Sequence, residues 1–225
     1  MRCHTTQHTR DSRGIGGIAA DQPVRSKLPE IARTAHRHVG NRRHFILARI
    51  GTRLAAEVLR TYDRLEPIKD GPLKVSREVV ELDLAAIDPA TVEAAKQTIT
   101  KVSADAKPLP PFLEQVKAYQ IADVSDRLGK PLAAEVQVVT LGPDLAFVAL
   151  PGEVFVELGL SLKAASPFKN TIVAELSNGT IGYVPTRTAY PHGNYEVISA
   201  RCKAGSGEKL VDAALVQLRT QFKTP

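Results

Sequence analysis

The chain has 225 residues, of which 43% are hydrophobic and 5% aromatic, and its formal net charge is +6. A chain of this length and composition forms one domain with a sizeable core or two small ones, and it is neither collagen-like nor wholly disordered. No apolar run approaches the roughly eighteen residues that a membrane-spanning helix needs. Cys3 and Cys202 belong to no CxxC motif, so both are predicted to be free thiols.

The positive charge is concentrated in residues 1–45, which contain nine Lys and Arg against three Asp and Glu, whereas residues 46–225 contain 21 of each sign. Five of the six histidines also lie in this first stretch, but Cys3-His4 and His36-x-His38 fit no standard zinc site. We predict a basic, solvated and weakly ordered leader. An arm for nucleic acid or anionic lipid, an organelle transit peptide and a displaced start or reading frame are alternative interpretations. Because residues 46–225 are neutral, no nucleic-acid partner is expected.

Regular apolar patterns begin at residue 46. Ile46, Ile50, Leu54, Val58 and Tyr62 recur every fourth position with charged residues between them, which predicts an amphipathic helix. This helix is predicted to end before Pro67, and a strand over 73–84 follows it; Asp88 then caps a helix with Pro89 at its first position and Val92, Ala95 and Ile99 on one side. The next predicted elements are a loop over 103–111, a helix over 112–128, and strands over 134–141 and 145–150 that are joined by Gly142-Pro143-Asp144. The last ones are a helix after residue 152, a strand over 170–176, a turn over 177–179, and a helix that Ser206 caps, with Val211, Ala214, Leu215, Leu218 and Phe222 on its apolar face. This order predicts an α/β fold with a mixed sheet flanked by helices.

The segment Leu150-Pro151-Gly152-Glu153 lies where a buried strand is predicted to end and a helix to begin. We therefore predict Glu153 in the first turn of that helix, at the mouth of the sheet, where the helix dipole favours an ionised carboxylate. An acidic residue that merely improves the start of the helix is the alternative interpretation.

Tyr183, Tyr190 and Tyr195 are three of the five tyrosines, and they lie in one Gly- and Pro-rich stretch that is predicted to be a loop. Aromatic residues with polar tips in such a connection either pack on the domain and hydrogen-bond the backbone, or line a site. Composition alone leaves both interpretations open.

Together these residues resemble the neutral/alkaline (non-lysosomal) ceramidases. The resemblance depends on Leu150-Pro151-Gly152-Glu153 with the helix after it, and on Asn178, Tyr183, Thr186, Tyr190 and Tyr195-Glu196 at the family's intervals. Arg49-Ile50-Gly51-Thr52, which opens the first helix, gives weaker support, and the matches span about residues 48–222.

Members of that family are zinc amidohydrolases that cleave the amide bond of ceramide into sphingosine and a fatty acid, and two His, one Glu and one Tyr hold their zinc. The resemblance implies zinc as the cofactor, a ceramide-like lipid as the substrate, and Glu153 and Tyr183 as metal ligands. It also implies a substrate pocket at Asn178, Tyr190 and Tyr195. In such a site zinc lowers the pKa of a bound water, and the resulting hydroxide attacks the amide carbonyl.

The sequence departs from the family in its histidines. The family's His-Thr-His motif is not found, because the residues around His4-Thr5 and His8-Thr9 differ from it, and Thr180 stands where a tyrosine is common. The resemblance therefore implies that residues 46–225 are the C-terminal portion of a ceramidase-like domain, an incomplete part of a larger unit, behind an unrelated basic leader. Family members are typically exported, but the first residues lack the apolar core of a signal peptide, so the compartment stays open.

Three functions follow as hypotheses. The first hypothesis is a zinc amidohydrolase that is active only if its missing ligands come from a partner chain or a fuller gene product. The second is a non-catalytic remnant that binds lipid. The third, with less support, is a nucleic-acid-associated protein. A geometric condition tests the metal site: if Glu153 and Tyr183 share one zinc, their oxygens have to converge in one cleft, about 3.5 Å apart around the metal and about 6 Å apart in a relaxed site.

Overall fold

A computed structural model describes residues 42–223 of the chain, with side chains from residue 45 onward. The chain divides into two units at residue 66, of which the structure describes residues 42–66 and residues 67–223. The leader predicted for residues 1–45 lies outside the described residues except for its last four positions, so its weak order stays a prediction.

In the first unit the structure describes one long helix, α1 (Arg42–Tyr62). The helix begins four residues before the predicted start at Ile46, and it ends before Pro67 as predicted. Its apolar side chains are exposed, Ile50 and Leu54 among them. No helix within residues 42–223 has both the length and the apolar character that are needed to cross a membrane.

The second unit alternates short helices and strands. In chain order these are β1 (Leu73–Leu82), a 3-10 turn (Pro89–Thr91), α2 (Val92–Ser103), α3 (Phe112–Asp126), β2 (Leu132–Leu141), β3 (Leu145–Ala149), β4 (Glu153–Val154), α4 (Val156–Ala165), β5 (Asn170–Ala174), β6 (Tyr183–Val184), a 3-10 helix (Arg187–His192), α5 (Asn194–Ser199) and α6 (Ser206–Lys223).

The main sheet has the strand order β1-β2-β3-β5. The β1–β2 and β2–β3 pairs are antiparallel and the β3–β5 pair is parallel, because α4 lies in the connection between β3 and β5. The predicted turn at Gly142-Pro143-Asp144 joins β2 to β3, and Gly142 has a φ of 56°. The predicted α/β fold with a mixed sheet flanked by helices is confirmed.

One face of the sheet, here called the covered face, is buried against α6 and α4. Its central side chains are fully buried together with leucines from the two helices, and they form the main core: Val136, Val138, Ala146 and Val148 from the sheet, Leu158 and Leu162 from α4, and Leu210 and Leu218 from α6. The predicted apolar face of α6 is confirmed except at its last member, since Phe222 is half-exposed and contacts Phe168 edge to face, with the ring centroids 5.2 Å apart.

A buried polar network also joins α6 to the sheet. The Gln221 side-chain amide donates to Ser76 Oγ at 2.7 Å and to the Val138 carbonyl at 3.1 Å, and its oxygen accepts from Thr140 Oγ1 at 2.7 Å. Gln217 accepts from Ser76 at 2.6 Å. Each of these bonds satisfies a group taken out of water, so the network fixes the position of α6 along the sheet.

The opposite face of the sheet, here called the open face, carries apolar side chains that remain exposed. Val75, Val139, Phe147 and Ile172 are successive register partners and form one row across all four strands. Val75, Phe147 and Ile172 are 59%, 40% and 45% exposed. A row of this kind is typical of a sheet face that another layer of structure covers.

Helices α2 and α3 form a smaller second cluster. Ala95 on α2 and Ala118 and Ile121 on α3 are buried against each other, with Val92 and Ile99 packed beside them. The predicted cap is confirmed, since the Asp88 side chain accepts a hydrogen bond of 2.9 Å from the Ala90 amide, although the first turn is a 3-10 turn.

Candidate functional site

The site is built on two very short strands beyond the end of the main sheet. The chain leaves β3 at Leu150, whose amide still donates to Ala174 of β5, and turns through Pro151 and Gly152 into β4. The Glu153 amide donates to the Gly182 carbonyl at 3.0 Å, and the Phe155 amide donates to Val184 at 3.1 Å. These bonds hold β4 parallel to β6.

Gly152 allows this close approach. A Cβ atom at Gly152 would lie 2.8 Å from the carbonyl oxygen of Gly182 and 2.8 Å from Cγ2 of Val184. Neither distance is compatible with a side chain, so only glycine lets the two strands meet here.

The prediction that Glu153 lies in the first turn of a helix is wrong. Glu153 belongs to β4, α4 begins at Val156, and Glu157 is the acidic residue of its first turn. The backbone bonds to β6 keep residues 153–155 extended and delay the helix by one turn. A helix dipole therefore does not account for the charge of Glu153.

Glu153 and Tyr183 are direct register partners in the parallel pair of β4 and β6. Register partners of neighbouring strands point to the same side of the sheet, so carboxylate and phenol share one face. A side-chain hydrogen bond with Glu153 raises the pKa of Tyr183, and partial burial and the nearby charges of Glu153, Tyr195 and Glu196 raise it further. The structure thus brings together two side chains that are thirty positions apart in the sequence.

A second carboxylate, Glu175, also lies near this pair. Burial raises the pKa of Glu175, the charge of Glu153 raises it further, and a hydrogen bond from the Val154 amide lowers it. Glu175 was not among the site residues predicted from the sequence. The signal was available, because Glu153 and Glu175 follow the carboxyl ends of the parallel strands β3 and β5, which lie at the same edge of the sheet.

Glu175 and Val154 line a small open cavity of about 200 Å³. The rest of its lining is mostly apolar and comes from α4 and β5: Val156, Gly159, Leu160, Lys163 and Val173. A pocket of this size is smaller than typical ligand sites of about 300–1,000 Å³.

An aromatic cluster extends from Tyr183. The rings of Tyr183 and Tyr195 meet edge to face with centroids 5.6 Å apart, and Tyr195 stacks on Phe112 at 5.7 Å with an interplanar angle of 21°. Phe112, which is 64% exposed and is the first residue of α3, was not predicted to be a site residue. Because a helix start far from the tyrosines carries no sequence signal for this contact, only the fold reveals it.

The sequence predicted that the three tyrosines lie in a loop, and this prediction is wrong. Tyr183 is in β6, Tyr190 is in the 3-10 helix after it, and Tyr195 is in α5. This stretch has few long elements because its glycines and prolines interrupt each one, for example at Pro191 and at Gly193, which has a φ of 69°.

The two other predicted pocket residues have different partners. The Tyr190 hydroxyl donates to the Cys202 carbonyl at 2.7 Å, and burial raises the pKa of Tyr190. Asn178, which has a φ of 62° in its turn, donates to the Gln137 side chain at 3.2 Å. Their contacts are thus with Cys202 and Gln137 rather than with Glu153 or Tyr183, and their place in a substrate pocket stays a prediction.

The donors of the site do not by themselves fit zinc. Among the described residues no group of three or more His, Cys, Asp or Glu side chains could hold a metal ion. Zinc takes four ligands, and catalytic sites supply at least three of them from the protein, whereas the pair supplies one carboxylate and one phenol. His192 is the one histidine with a described side chain, and it is exposed on the 3-10 helix.

Neither the family models nor the curated proteins compared with this chain match it. Solved structures similar to it include two ceramidases. The structure titled ceramidase complexed with C2 has a TM-score of 0.46 and 17% identity, over 69% of this chain and 31% of the other. A neutral ceramidase from Pseudomonas aeruginosa has a TM-score of 0.44 and 17% identity, over 67% of this chain and 29% of the other.

The chain thus spans less than a third of the length of these two solved proteins. At this level of identity and structural overlap the likeness carries no argument about chemistry. What the site can do has to be inferred from its own residues.

Proposed function

We propose that residues 46–225 are the C-terminal portion of a ceramidase-like domain, and that Glu153 and Tyr183 are two of the four protein ligands of its zinc amidohydrolase site. This portion does not complete the site, so the chain by itself does not hydrolyse ceramide. The substrate class is an N-acyl amide of a ceramide-like lipid, as the resemblance in sequence implies.

The observation that carries the proposal is the parallel register of β4 and β6, which pairs Glu153 with Tyr183. The resemblance in sequence assigned the two residues to one metal. If Glu153 were only an acidic helix start and Tyr183 only a packing residue, nothing would require them to meet. Their pairing across β4 and β6 supports the assignment, because two ligands of one ion also have to lie close to each other.

The open face of the sheet supports the second part of the proposal, that the domain continues beyond these residues. The row of Val75, Val139, Phe147 and Ile172 leaves apolar area in water that a second layer of the same domain would bury. A portion of a larger domain accounts for this face without invoking a separate partner.

Glu153 and Tyr183 are not expected to bind zinc strongly on their own. Glu153 raises the pKa of Tyr183, so the phenol gives up its proton less readily, whereas a metal ligand has to give it up. With two protein ligands instead of four, the affinity for zinc is expected to fall by orders of magnitude.

Zinc binding and hydrolysis of a fluorescent ceramide by the purified chain test the proposal. We expect weak zinc binding that Glu153→Gln and Tyr183→Phe each weaken further, and no zinc-dependent turnover. Glu157→Gln is the matched control, because Glu157 is an exposed carboxylate four positions away at the start of α4. Zinc binding that neither site substitution changes would remove the ligand assignment, and turnover that Glu153→Gln abolishes would overturn the proposed inactivity.

A non-catalytic lipid-binding protein is the second candidate. The exposed ring of Phe112 on Tyr195 favours it, because this stack offers an apolar surface beside the pair without any metal. The same experiment separates the two candidates, since a lipid-binding remnant binds the fluorescent ceramide equally well in the presence of a chelator and shows no dependence of zinc binding on Glu153.

A further inference from the structure

Helix α1 has two opposite faces of different chemistry. Arg49, Arg53 and Arg60 are spaced by four and seven positions, which places them on one side of a helix with 3.6 residues per turn. The other side carries apolar residues at spacings of seven, four and four positions, namely Leu47, Leu54, Val58 and Tyr62. We call these the arginine face and the apolar face.

The side chains of the apolar face are exposed. Leu47, Leu54, Val58 and Tyr62 are 66%, 68%, 56% and 61% exposed. A helix in water does not keep such a stripe without an occupant, because most of the stability of a helix comes from burying its apolar side.

Charge indicates what the occupant is. Residues 1–62 contain twelve Lys and Arg against four Asp and Glu, whereas residues 63–225 contain 18 against 20. Within α1 the one acidic residue, Glu57, pairs with Arg60. The binding partner of α1 therefore has to provide an apolar region and negative charge at the same place.

A lipid bilayer with anionic headgroups offers both. A helix that lies in the headgroup layer sinks its apolar face towards the acyl chains, and lipid phosphates surround its polar side. A nucleic acid supplies phosphates but nothing for the apolar face. A groove on a protein buries the apolar face but leaves the opposite, arginine face in water.

We propose that α1 is an interfacial helix that binds the surface of an anionic lipid bilayer. Although α1 has 21 residues, its arginines rule out a helix that spans the membrane, and the structure describes no spanning helix within residues 42–223. This inference does not depend on the zinc site or on ceramide.

Co-sedimentation of the full chain with vesicles tests the proposal. We expect the chain to bind vesicles of phosphatidylcholine with phosphatidylserine at least tenfold more strongly than vesicles of phosphatidylcholine alone, and binding to weaken as salt increases. Leu54→Glu should reduce binding at least tenfold. Arg49→Gln and Arg53→Gln should each reduce it about fivefold, as expected for one basic residue near an anionic surface.

Val216→Glu is the matched control, because Val216 is also a helical apolar residue, 59% exposed, but lies on α6 in the second unit. It should leave binding unchanged. Circular dichroism of Leu54→Glu, with Val58→Glu as a second variant, separates loss of binding from loss of the helix.

Three outcomes would overturn the proposal. The first is no preference for anionic vesicles. The second is binding that Leu54→Glu and Val58→Glu leave intact, which would show that charge alone attracts the chain. The third is binding to duplex DNA that falls with the arginine variants and not with Leu54→Glu, without vesicle binding, which would indicate a nucleic-acid arm instead.

Discussion

Tyr190 is held in place by the backbone. Its hydroxyl donates to the carbonyl of Cys202, a residue that is itself buried and whose thiol pKa is raised by burial. Cys202 also forms an isolated antiparallel β-bridge with Leu84. The backbone hydrogen bonds of that bridge use the carbonyl of Arg201 and the amide of Lys203, so the Cys202 carbonyl remains available to Tyr190. Tyr190 therefore ties the 3-10 helix to the segment before α6.

We expect Tyr190→Phe to lower the free energy of unfolding by about 1–3 kcal/mol, because the buried carbonyl loses its donor while the ring stays. Burial raises the pKa of Tyr190 in the folded state, whereas the unfolded chain titrates near the ordinary value of about 10. Above about pH 10 the Tyr190 hydroxyl therefore keeps its proton in the folded state but loses it in the unfolded state. The stability that Tyr190 contributes is fully present below about pH 10 and falls as the pH rises further. Urea unfolding between pH 8 and 11 measures both effects.

Tyr119→Phe is the control for this substitution, because Tyr119 is 48% exposed on α3. It should leave the free energy of unfolding unchanged. An equal loss in the two variants would show that the bond to Cys202 contributes nothing.

At the scale of elements, the pairing of β4 with β6 creates the candidate site from two strands of two residues each. Strands this short do not form from propensity alone. They exist because β3 and β5 place Leu150 and Ala174 side by side, and because Gly152 lets the next residues approach Gly182.

We expect Gly152→Ala to separate β4 from β6 and to lower the free energy of unfolding by more than about 2 kcal/mol, because the added methyl collides with backbone and with Val184. Gly159→Ala makes the same change in α4, where nothing lies within 4 Å of the new Cβ, and should raise stability by about 0.5–1 kcal/mol. Chemical denaturation of both variants measures the contrast. Equal stabilities would mean that β4 and β6 are not in contact in solution.

At the scale of the whole molecule, the second unit has a complete core on one side of its sheet and exposed valine, phenylalanine and isoleucine side chains on the other. This asymmetry is what a part of a larger layered domain would show. It also makes the open face a surface on which the chain is prone to associate.

Val75→Thr and Val138→Thr compare the two faces with the same substitution. Val75 is 59% exposed on the open face and Val138 is fully buried on the covered face. We expect Val75→Thr to change stability by no more than about 0.5 kcal/mol and to reduce binding of an apolar fluorescent dye. Val138→Thr should cost about 1–3 kcal/mol. A cost at Val75 as large as that at Val138 would show that the open face is covered in solution.

Elements with local sequence signals were predicted correctly. The four-residue spacing of Ile50, Leu54 and Val58 predicted α1, and the Gly-Pro-Asp turn predicted the hairpin of β2 and β3. Asp88 was correctly predicted as a cap, because a cap depends on its own side chain and the next two residues. With these elements in order, the class of fold followed.

The surroundings of the candidate site depend on contacts between segments that are distant in the sequence. Glu153 is extended rather than helical because its backbone bonds to Gly182, far along the chain, outweigh the local tendency to begin a helix. Phe112 stacks on Tyr195 and Glu175 approaches Glu153 for the same reason, since these contacts depend on which strands and helices become neighbours. Periodicity and turn chemistry describe a few successive residues, whereas the partner of each site side chain is set by the register of strands that are distant in sequence.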